Sequence, residues 1–471
     1  MTTLSTHLDL ITNCIIPVTA PLENVTLPSV EWFEVRFDLI PQGLWTKTID
    51  CLKGKKLCYT LRRKIQGGNF SNTVLDQFET LKSLINYHKP DLIDLDVDLP
   101  IEEFRVKWPS IQLLISNHVS NHIGWEGALN ALLKHTGDFY KCACPFTTTT
   151  SMFEFLSRVK QLNQNKKVWI PLVLGEKGNP SRILAAHLGS PFVYLALNRE
   201  SSLYGQITYQ EWVDNYQTNC MGVLYGLLGS PIHLSYGHIT HNQFFQKRNQ
   251  KGLYLKLEVL EKEFSLILPL LKEFGFKGFS VTMPLKKIGL TLATGVDELA
   301  AKTLAVNTLK LDGEVWKGYN TDMEAFSTLL AEPILKLEKR EAVILGTGAI
   351  AFGVAYVLCQ LGVKVTLIGR NKIKTEKLAD QLGCSWSEWH LMEKVNKTIL
   401  VQATPIGMGD GKGFSFPEEM IPKKGIVIDF ISNPKVTPLL KKAKEVGAMT
   451  ISGYELFVKQ AELQNKIWFS K

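Results

Sequence analysis

Two side chains in the first half of this sequence could form a reactive pair. Lys141 lies in "GDFYKCACPF", residues 137–146, where apolar neighbours predict a buried strand. At its ordinary pKa, on the order of one lysine in a few thousand is neutral at pH 7. Burial and nearby cations lower that pKa and give an amine that forms imines with carbonyl compounds. The alternative is a strand-end lysine that extends its ammonium to water.

His118, at the end of "LLISNH", is the natural base for such an imine. Its ordinary pKa lies near neutral pH, so it can remove a proton from the carbon next to the imine. The two residues together predict chemistry on a ketone, and aldol cleavage, transaldol transfer and dehydration all remain open.

The elements that position these residues form a repeating pattern. Apolar segments rich in β-branched residues alternate with stretches long enough for a helix, such as "TVLDQFETLKSLINYH". This alternation predicts a compact (β/α)8 barrel, with a doubly wound sheet as the competing arrangement. The eight predicted strands are "CIIPVT", "FEVRFD", "KLCYTLR", "DLIDLDV", "IQLLIS", "FYKCAC", "VWIPLVL" and "FVYLAL".

Charged residues end several of these strands. In "EVRFD" they alternate with period two and therefore share one face of the strand. Ligands of such barrels meet the carboxyl ends of the strands, so we expect a site there. The charged strand residues are Glu34, Arg36, Asp38, Arg62, Asp94, Asp96, His118 and Lys141.

Composition excludes several classes of protein. The 471 residues suggest two or three domains, and 53 basic against 45 acidic residues give a net charge of +8. That balance suits small anionic substrates or a nucleotide, but no basic run with interleaved aromatics predicts nucleic-acid binding. The eight cysteines include no CxxC, so we expect no metal and reduced, mostly core thiols. With neither a signal peptide nor a long apolar run, we expect a cytoplasmic protein without membrane contact.

A nucleotide-binding pattern appears in the second half, beyond a boundary we place near residue 219. "ILGTGAIAFG" puts Gly346, Gly348 and Ala351 in a G-x-G-x-x-[GA] pattern after a predicted strand, with Ala349 opening a helix. The next strand ends in Arg370 and not in an acidic residue, which favours NADP. Lys286 in "TMPLKK" and Asp322 in "YNTD" could relay a proton beside a nicotinamide.

Residues 1–219 resemble the type I 3-dehydroquinate dehydratase family through "EVRFD", "TLRRKIQGG", "LIDLDV", "ISNHVSNH", "FYK", "GNPSR" and "SSLYGQIT". The resemblance implies that Lys141 forms an imine with the C3 ketone. His118 then removes the C2 proton and assists loss of the C1 hydroxyl, and Asp96 is the carboxylate that orients His118. Asp96 and Gln66 stand where the family has Glu. The implied substrate-binding residues are Glu34, Arg36, Arg62, Arg182 (for the substrate carboxylate), Ser202 and Gln206.

Residues 220–471 resemble the shikimate dehydrogenase family through "GSPIHLSYGHITHN", "ATPIGM" and "GYELFVKQA". The resemblance implies a substrate lobe over 220–328 plus 455–471 and an NADP-binding Rossmann lobe over 329–454. Lys286 and Asp322 match the catalytic pair. Gly237 and His238 replace Ser-Pro, Ser280 replaces the common Asn, and Gly369 replaces the Asn of "NR". The implied contacts are Ser235, Thr282, Asn307 and Gln460 for shikimate, and Thr404 and Met408 for the nicotinamide.

The two families catalyse consecutive steps of one pathway. The expected function is therefore dehydration of 3-dehydroquinate followed by reduction of 3-dehydroshikimate with NADPH, as in the fused enzymes of plants and some bacteria. The alternatives are quinate or shikimate oxidation with NAD, and a sensor or repressor built from inactive copies of these domains. We expect small-molecule substrates as partners and a monomer.

Overall fold

The computed structural model describes residues 13–22, 27–163, 167–202, 205–395, 397–409, 413 and 416–470. The chain divides into two compact units. The first comprises Met1–Val223, Phe245–Val259 and Ser265–Gly275, and the second comprises Leu224–Phe244, Leu260–Phe264 and Phe276–Lys471.

The first unit contains an eight-stranded parallel sheet in the order β7-β6-β5-β4-β3-β2-β1-β8. Because β8 pairs with β1, the order runs round a nearly closed barrel, and the doubly wound alternative is wrong. All eight predicted strands are confirmed. They are β1 (Asn13–Val18), β2 (Trp32–Arg36), β3 (Lys56–Thr60), β4 (Leu92–Asp96), β5 (Gln112–His118), β6 (Phe139–Pro145), β7 (Val168–Leu174) and β8 (Phe192–Tyr194).

Helices follow most of the barrel strands, and local sequence explains where they begin. Thr73 and Asp76 form a capping box at the start of α2, and Thr208 and Glu211 form another at α7. The strands between the helices are buried along nearly their whole length, as expected of a parallel sheet. The helices are α1 (Trp45–Cys51), α2 (Val74–Tyr87), α3 (Ile101–Lys107), α4 (Trp125–Leu133), α5 (Thr149–Asn163), α6 (Asn179–Ile183) and α7 (Tyr209–Asn215).

A six-stranded mixed sheet follows, in the order β10-β9-β11-β13-β14-β12. Its helices are α8 (Gly237–Lys247), α9 (Glu261–Phe274), α10 (Lys286–Leu292), α11 (Glu298–Thr303) and α12 (Thr321–Leu335). Its strands are β9 (Val223–Gly229), β10 (Gly252–Glu258), β11 (Phe276–Val281), β12 (Gly295–Val296), β13 (Thr308–Asp312) and β14 (Val315–Tyr319).

The last sheet is parallel and has the order β17-β16-β15-β18-β19-β20, in which the strand sequence reverses at β15 and β18. This is the strand order of a Rossmann domain. Its strands are β15 (Glu341–Leu345), β16 (Lys364–Ile368), β17 (Ser385–Ser387), β18 (Ile399–Gln402), β19 (Ile426–Asp429) and β20 (Met449–Ser452). Its helices are α13 (Ala349–Gln360), α14 (Lys372–Leu382) and α15 (Pro438–Glu445), and α16 (Gly453–Phe469) ends the described chain.

The cysteines are confirmed as free thiols, but the expectation that most lie in the core is wrong. Only Cys58, Cys142 and Cys144 of the eight are buried, and each lies within a barrel strand, whereas Cys14, near the start of β1, is only half-buried. No group of metal-ligating side chains occurs in the described part of the chain. Among the described helices, none is both long and apolar enough to cross a bilayer.

Candidate active sites

Lys141 lies inside the barrel, on β6, and is 2% exposed. Its ammonium contacts the carboxylate of Asp94 on β4, and its Nζ lies 3.6 Å from Oε1 of Glu34 on β2. Lys141 thus lies next to two carboxylates inside the barrel. The alternative of a solvent-directed lysine is wrong. Imine formation needs the amine of Lys141 without its extra proton, and Asp94 is the acceptor in contact with it.

Lys141, Asp94, Arg62, Asp96 and His118 form a cluster inside the barrel. Arg62, which follows β3 and is buried, lies at its centre. Burial alone would raise the pKa of Asp94, but the charges of Arg62 and Lys141 hold it below its ordinary value. Asp94 is therefore ionised and joins the two cations. The Arg62 guanidinium donates to Asp94 Oδ2 at 2.6 Å, Asp96 Oδ1 at 2.9 Å, Ser116 Oγ at 3.0 Å and His118 Nδ1 at 2.8 Å.

The contact with Arg62 sets the tautomer of His118. A guanidinium only donates hydrogen bonds, so Nδ1 of His118 accepts and a neutral ring carries its proton on Nε2. Burial, followed by the positive charges of Arg62, Lys141 and Arg36, holds the pKa of His118 well below its ordinary value. His118 is thus a neutral base whose lone pair is covered by Arg62.

Asp96 reaches His118 only through Arg62. Its carboxylate accepts from Arg62 and from Gln77 Nε2 at 2.9 Å, and burial raises its pKa. The expected direct contact between Asp96 and His118 does not occur among the described residues, since Asp96 bonds to Arg62 and Gln77 and it is Arg62 that contacts Nδ1 of His118. Gln66, which replaces a family Glu, accepts instead from the backbone N–H of His118 at 2.8 Å.

The remaining predicted barrel residues belong to the same unit, and of these Glu34 lies next to Lys141. Arg36 makes a two-point contact with Asp38, at 2.9 and 2.8 Å. Arg182 is buried on α6, bonds only to the carbonyls of Val173 and Gly178 among the described residues, and burial lowers its pKa to about 10. An unpaired buried guanidinium of this kind suits a carboxylate ligand. Glu34 accepts from Thr60 at 2.8 Å, and Ser202 donates to the carbonyl of Gln206 at 2.9 Å.

The second unit brings the predicted pair together. Lys286 opens α10 and Asp322 lies in the first turn of α12, and their Nζ and Oδ2 atoms are 2.6 Å apart. Asn320 caps α12 by accepting from the N–H of Met323, which fixes the turn that carries Asp322. A carboxylate there is also favoured by the helix dipole. Both side chains are about one-fifth exposed, so a ligand can reach them.

Polar side chains link this pair to α16. Asn307 donates to Thr321 Oγ1 at 3.0 Å, next to Asp322 in sequence, and its Nδ2 lies 3.5 Å from Gln460 Oε1. The structure thus places the predicted Asn307 and Gln460 beside the pair. Thr282 follows β11, and Ser235 Oγ accepts from the N–H of Gly237 at 3.1 Å.

The glycine pattern forms the predicted strand–turn–helix between β15 and α13. Gly346 has φ +130°, and a Cβ there would lie 2.7 Å from the carbonyl oxygen of Ala403, so only glycine fits. At Gly348 a Cβ would meet no atom within 4 Å, and no side chain caps α13. Open space and an uncapped helix start together suit a pyrophosphate, which the first N–H groups of α13 can bind. Ala351 is buried in α13, and Arg370 is exposed after β16.

The predicted nicotinamide loop leaves β18, the neighbour of β15 at the point where strand order reverses. Thr404 donates to Gln402 Oε1 at 3.0 Å, and Met408 is half exposed. A Cβ at Gly409 would approach Leu234 of the segment that carries Ser235 to 4.0 Å. The loop and the substrate segment therefore lie side by side.

Two residues at the barrel site were not predicted to act. Asp94 was seen only as one of several charged strand residues, although its period-two spacing from Asp96 shows that both face inward. Tyr194, in the apolar segment "FVYLAL", gives no sequence signal, because a tyrosine in a strand ordinarily only packs. Its ring lies 5.0 Å from Lys141 Nζ.

Fold and sites define an α/β protein with two chemical centres, a buried lysine in a parallel barrel and a Lys-Asp pair beside a Rossmann domain. The type I 3-dehydroquinase family model matches residues 20–221, and the model of the shikimate dehydrogenase substrate binding domain matches residues 227–309.

Two curated relatives and one solved structure illustrate the similarity. The chloroplastic bifunctional 3-dehydroquinate dehydratase/shikimate dehydrogenase of Arabidopsis thaliana is 26% identical over 490 aligned residues, covering 95% of this chain and 80% of that protein. The shikimate dehydrogenase (NADP(+)) of Caldanaerobacter subterraneus subsp. tengcongensis is 32% identical over 254 residues, covering 52% of this chain and 91% of that protein. The quinate dehydrogenase of Corynebacterium glutamicum in complex with NAD is 25% identical with a TM-score of 0.50, covering 53% of this chain and 94% of that one. The chain belongs to the shikimate dehydrogenase family and carries a type I 3-dehydroquinase domain ahead of that part.

Proposed function

We propose that this chain is a bifunctional enzyme of the shikimate pathway. It dehydrates 3-dehydroquinate to 3-dehydroshikimate in the barrel and reduces that product to shikimate with NADPH in the second unit. The observation that carries the proposal is the presence, in one chain, of the buried Lys141 cluster and the Lys286–Asp322 pair. These are the groups that the two consecutive reactions need.

In the dehydration, Asp94 takes a proton from the Lys141 ammonium with which it is in contact. The neutral amine adds to the C3 ketone, and loss of water gives a protonated imine that accepts electrons from the neighbouring carbon. Arg182 pairs with the substrate carboxylate, which supplies the partner that this guanidinium lacks among the described residues.

His118 moves the proton in the next step. Substrate hydroxyls compete for the donors of Arg62 and uncover Nδ1, which removes the C2 proton. The electrons of the C2–H bond pass into the imine and give an enamine. When the enamine electrons form the C1–C2 double bond, the C1–O bond breaks. The imidazolium returns a proton to the departing hydroxyl, so water leaves and the ring is neutral again.

In the reduction, the chain's own groups bind the substrate and manage the proton. The open space at Gly348, the uncapped start of α13 and Arg370 fit the pyrophosphate and 2'-phosphate of NADP. When bound, this cofactor supplies the hydride. Lys286 donates a hydrogen bond to the C3 oxygen and its proton as the alcohol forms, and Asp322 holds the ammonium in place at 2.6 Å.

A pair of variants tests the division of labour. Lys141→Ala removes the imine-forming amine and should abolish dehydration of 3-dehydroquinate, while reduction of 3-dehydroshikimate stays near wild type. Lys286→Ala should do the reverse. Each variant is the control for the other, and dehydration that persists without Lys141 refutes the imine mechanism.

The second candidate, quinate or shikimate oxidation with NAD, is favoured by the similarity to a quinate dehydrogenase that binds NAD. Arg370 stands against it, because a guanidinium after β16 suits a 2'-phosphate. Initial rates with NADP and NAD, for shikimate and for quinate, separate the two candidates. Activity in any of these assays also removes the sensor or repressor alternative.

We propose the domain limits as predicted, with the barrel over 1–219, the substrate lobe over 220–328 plus 455–471 and the NADP lobe over 329–454. The order of elements supports these limits: β9 to β14 lie before residue 320, β15 to β20 lie between 341 and 452, and α16 follows them. We also propose a monomer, and sedimentation at micromolar concentration tests it.

A further inference from the structure

Tyr194 is the last residue of β8 and lies inside the barrel beside Lys141. It is 2% exposed, and the centroid of its ring is 5.0 Å from Lys141 Nζ. Its hydroxyl is buried and has no hydrogen-bond partner among the described residues. A buried hydroxyl in this state costs about 1–3 kcal/mol, a cost that phenylalanine at the same position would avoid. Packing against the barrel core accounts for the ring but not for the oxygen.

Other buried barrel tyrosines show what a structural hydroxyl does. Tyr140, on the same strand as Lys141, donates to the carbonyl of His135 and accepts from the N–H of Gly137, both at 3.0 Å. Tyr59 forms a hydrogen bond with Nδ1 of His88, also at 3.0 Å. Only Tyr194 among these three lies against the reactive lysine and leaves its hydroxyl unused.

The surroundings keep this hydroxyl protonated. Burial, followed by the nearby carboxylates of Glu34 and Asp94, raises the pKa of Tyr194 well above its ordinary value. The hydroxyl is therefore protonated near neutral pH and can act as a hydrogen-bond donor. A group that develops negative charge next to Lys141 is the partner that such a donor suits.

We propose that Tyr194 is a further catalytic residue of the dehydration, and that its hydroxyl donates a hydrogen bond to the substrate oxygen on the carbon that Lys141 attacks. The inference rests on the proposed function, because that function supplies the ketone. It assigns a role to the Tyr194 hydroxyl, which has no hydrogen-bond partner among the described residues.

The step balances without another reactant. The nitrogen lone pair of Lys141 forms the N–C bond, and the electrons of the carbonyl π bond move to the oxygen, which Tyr194 stabilises. A proton from the nitrogen and the proton held by Asp94 complete a water molecule as the C–O bond breaks. Tyr194 keeps its own proton throughout and acts only through the hydrogen bond.

The test compares Tyr194→Phe with Tyr140→Phe in the full chain. Each variant removes one buried hydroxyl, but only the first lies at the lysine. Tyr194→Phe should lower kcat for dehydration roughly 10²-fold, the effect of losing one oxyanion donor. It should slow borohydride trapping of the imine on Lys141 to a similar degree, and leave the melting temperature unchanged or higher. Tyr140→Phe should lower the melting temperature and leave both rates within about twofold, because it only breaks structural hydrogen bonds.

Dehydration and trapping by Tyr194→Phe within twofold of wild type would overturn the inference while leaving the proposed function standing. An equal loss in both variants would also overturn it, because that loss would reflect packing. Absence of dehydration in the wild-type chain would instead defeat the proposed function, and the role of Tyr194 with it. Reduction of 3-dehydroshikimate, measured in each sample, confirms that the second unit is folded.

Discussion

The substitution Arg62→Lys keeps the positive charge at the centre of the barrel cluster but removes the planar guanidinium group. Arg62 donates to four acceptors, the carboxylates of Asp94 and Asp96, the Ser116 hydroxyl and His118 Nδ1, at 2.6–3.0 Å. An ammonium on a shorter stem cannot span all four. If two contacts are lost at about 1.5–3 kcal/mol each, the barrel should lose about 3–6 kcal/mol of unfolding free energy.

Denaturant unfolding followed by tryptophan fluorescence measures this loss, since six of the ten tryptophans lie in residues 1–219. The matched control is Arg199→Lys, because the Arg199 side chain is 87% exposed and lies 3.3 Å from Glu211. That variant should change stability by less than about 0.5 kcal/mol. A loss below about 1 kcal/mol for Arg62→Lys would refute the view that the guanidinium holds the cluster together.

Two further predictions concern the second unit. Gly348→Ala adds a methyl group into open space and should leave the melting temperature unchanged, yet raise KM for NADPH roughly tenfold by displacing the pyrophosphate from the N–H groups of α13. As a control, Gly346→Ala, whose Cβ would lie 2.7 Å from a carbonyl oxygen, should instead destabilise that unit. An unchanged KM for NADPH in Gly348→Ala would exclude the phosphate site. Burial lowers the pKa of His241 to about 3 in the folded protein. The unfolded protein therefore binds more protons below about pH 6.5, and the free energy of unfolding decreases as the pH is lowered. Between pH 6.5 and 4.5 the wild type should lose about 2–3 kcal/mol relative to His241→Gln, and equal pH slopes in the two proteins would contradict this assignment.

The pattern of elements could be predicted from the sequence because each barrel strand is a short apolar run and several helices, such as α2 and α7, begin at a capping box. The segment around Lys141 and the glycine turn before Ala349 are local features, and the structure forms them where the sequence places them. Lys286 and Asp322 were predicted to act together from their residue types and from resemblance, and their 2.6 Å contact agrees with this.

The partners of these residues could not be predicted in the same way. Asp94 and Lys141 are 47 positions apart, and their contact depends on the register of β4, β5 and β6. The covering of His118 by Arg62 depends on which of several nearby carboxylates holds the guanidinium. The unused hydroxyl of Tyr194 is a property of its surroundings, which a sequence pattern of apolar residues does not encode.

The most direct test of the central claim is the loss of NADPH absorbance when the purified chain receives 3-dehydroquinate alone. If both sites work in the proposed order, NADPH is consumed until the substrate is converted to shikimate, with no added dehydratase. If NADPH is consumed with 3-dehydroshikimate but not with 3-dehydroquinate, the barrel does not dehydrate its proposed substrate and the account of the Lys141 site is wrong.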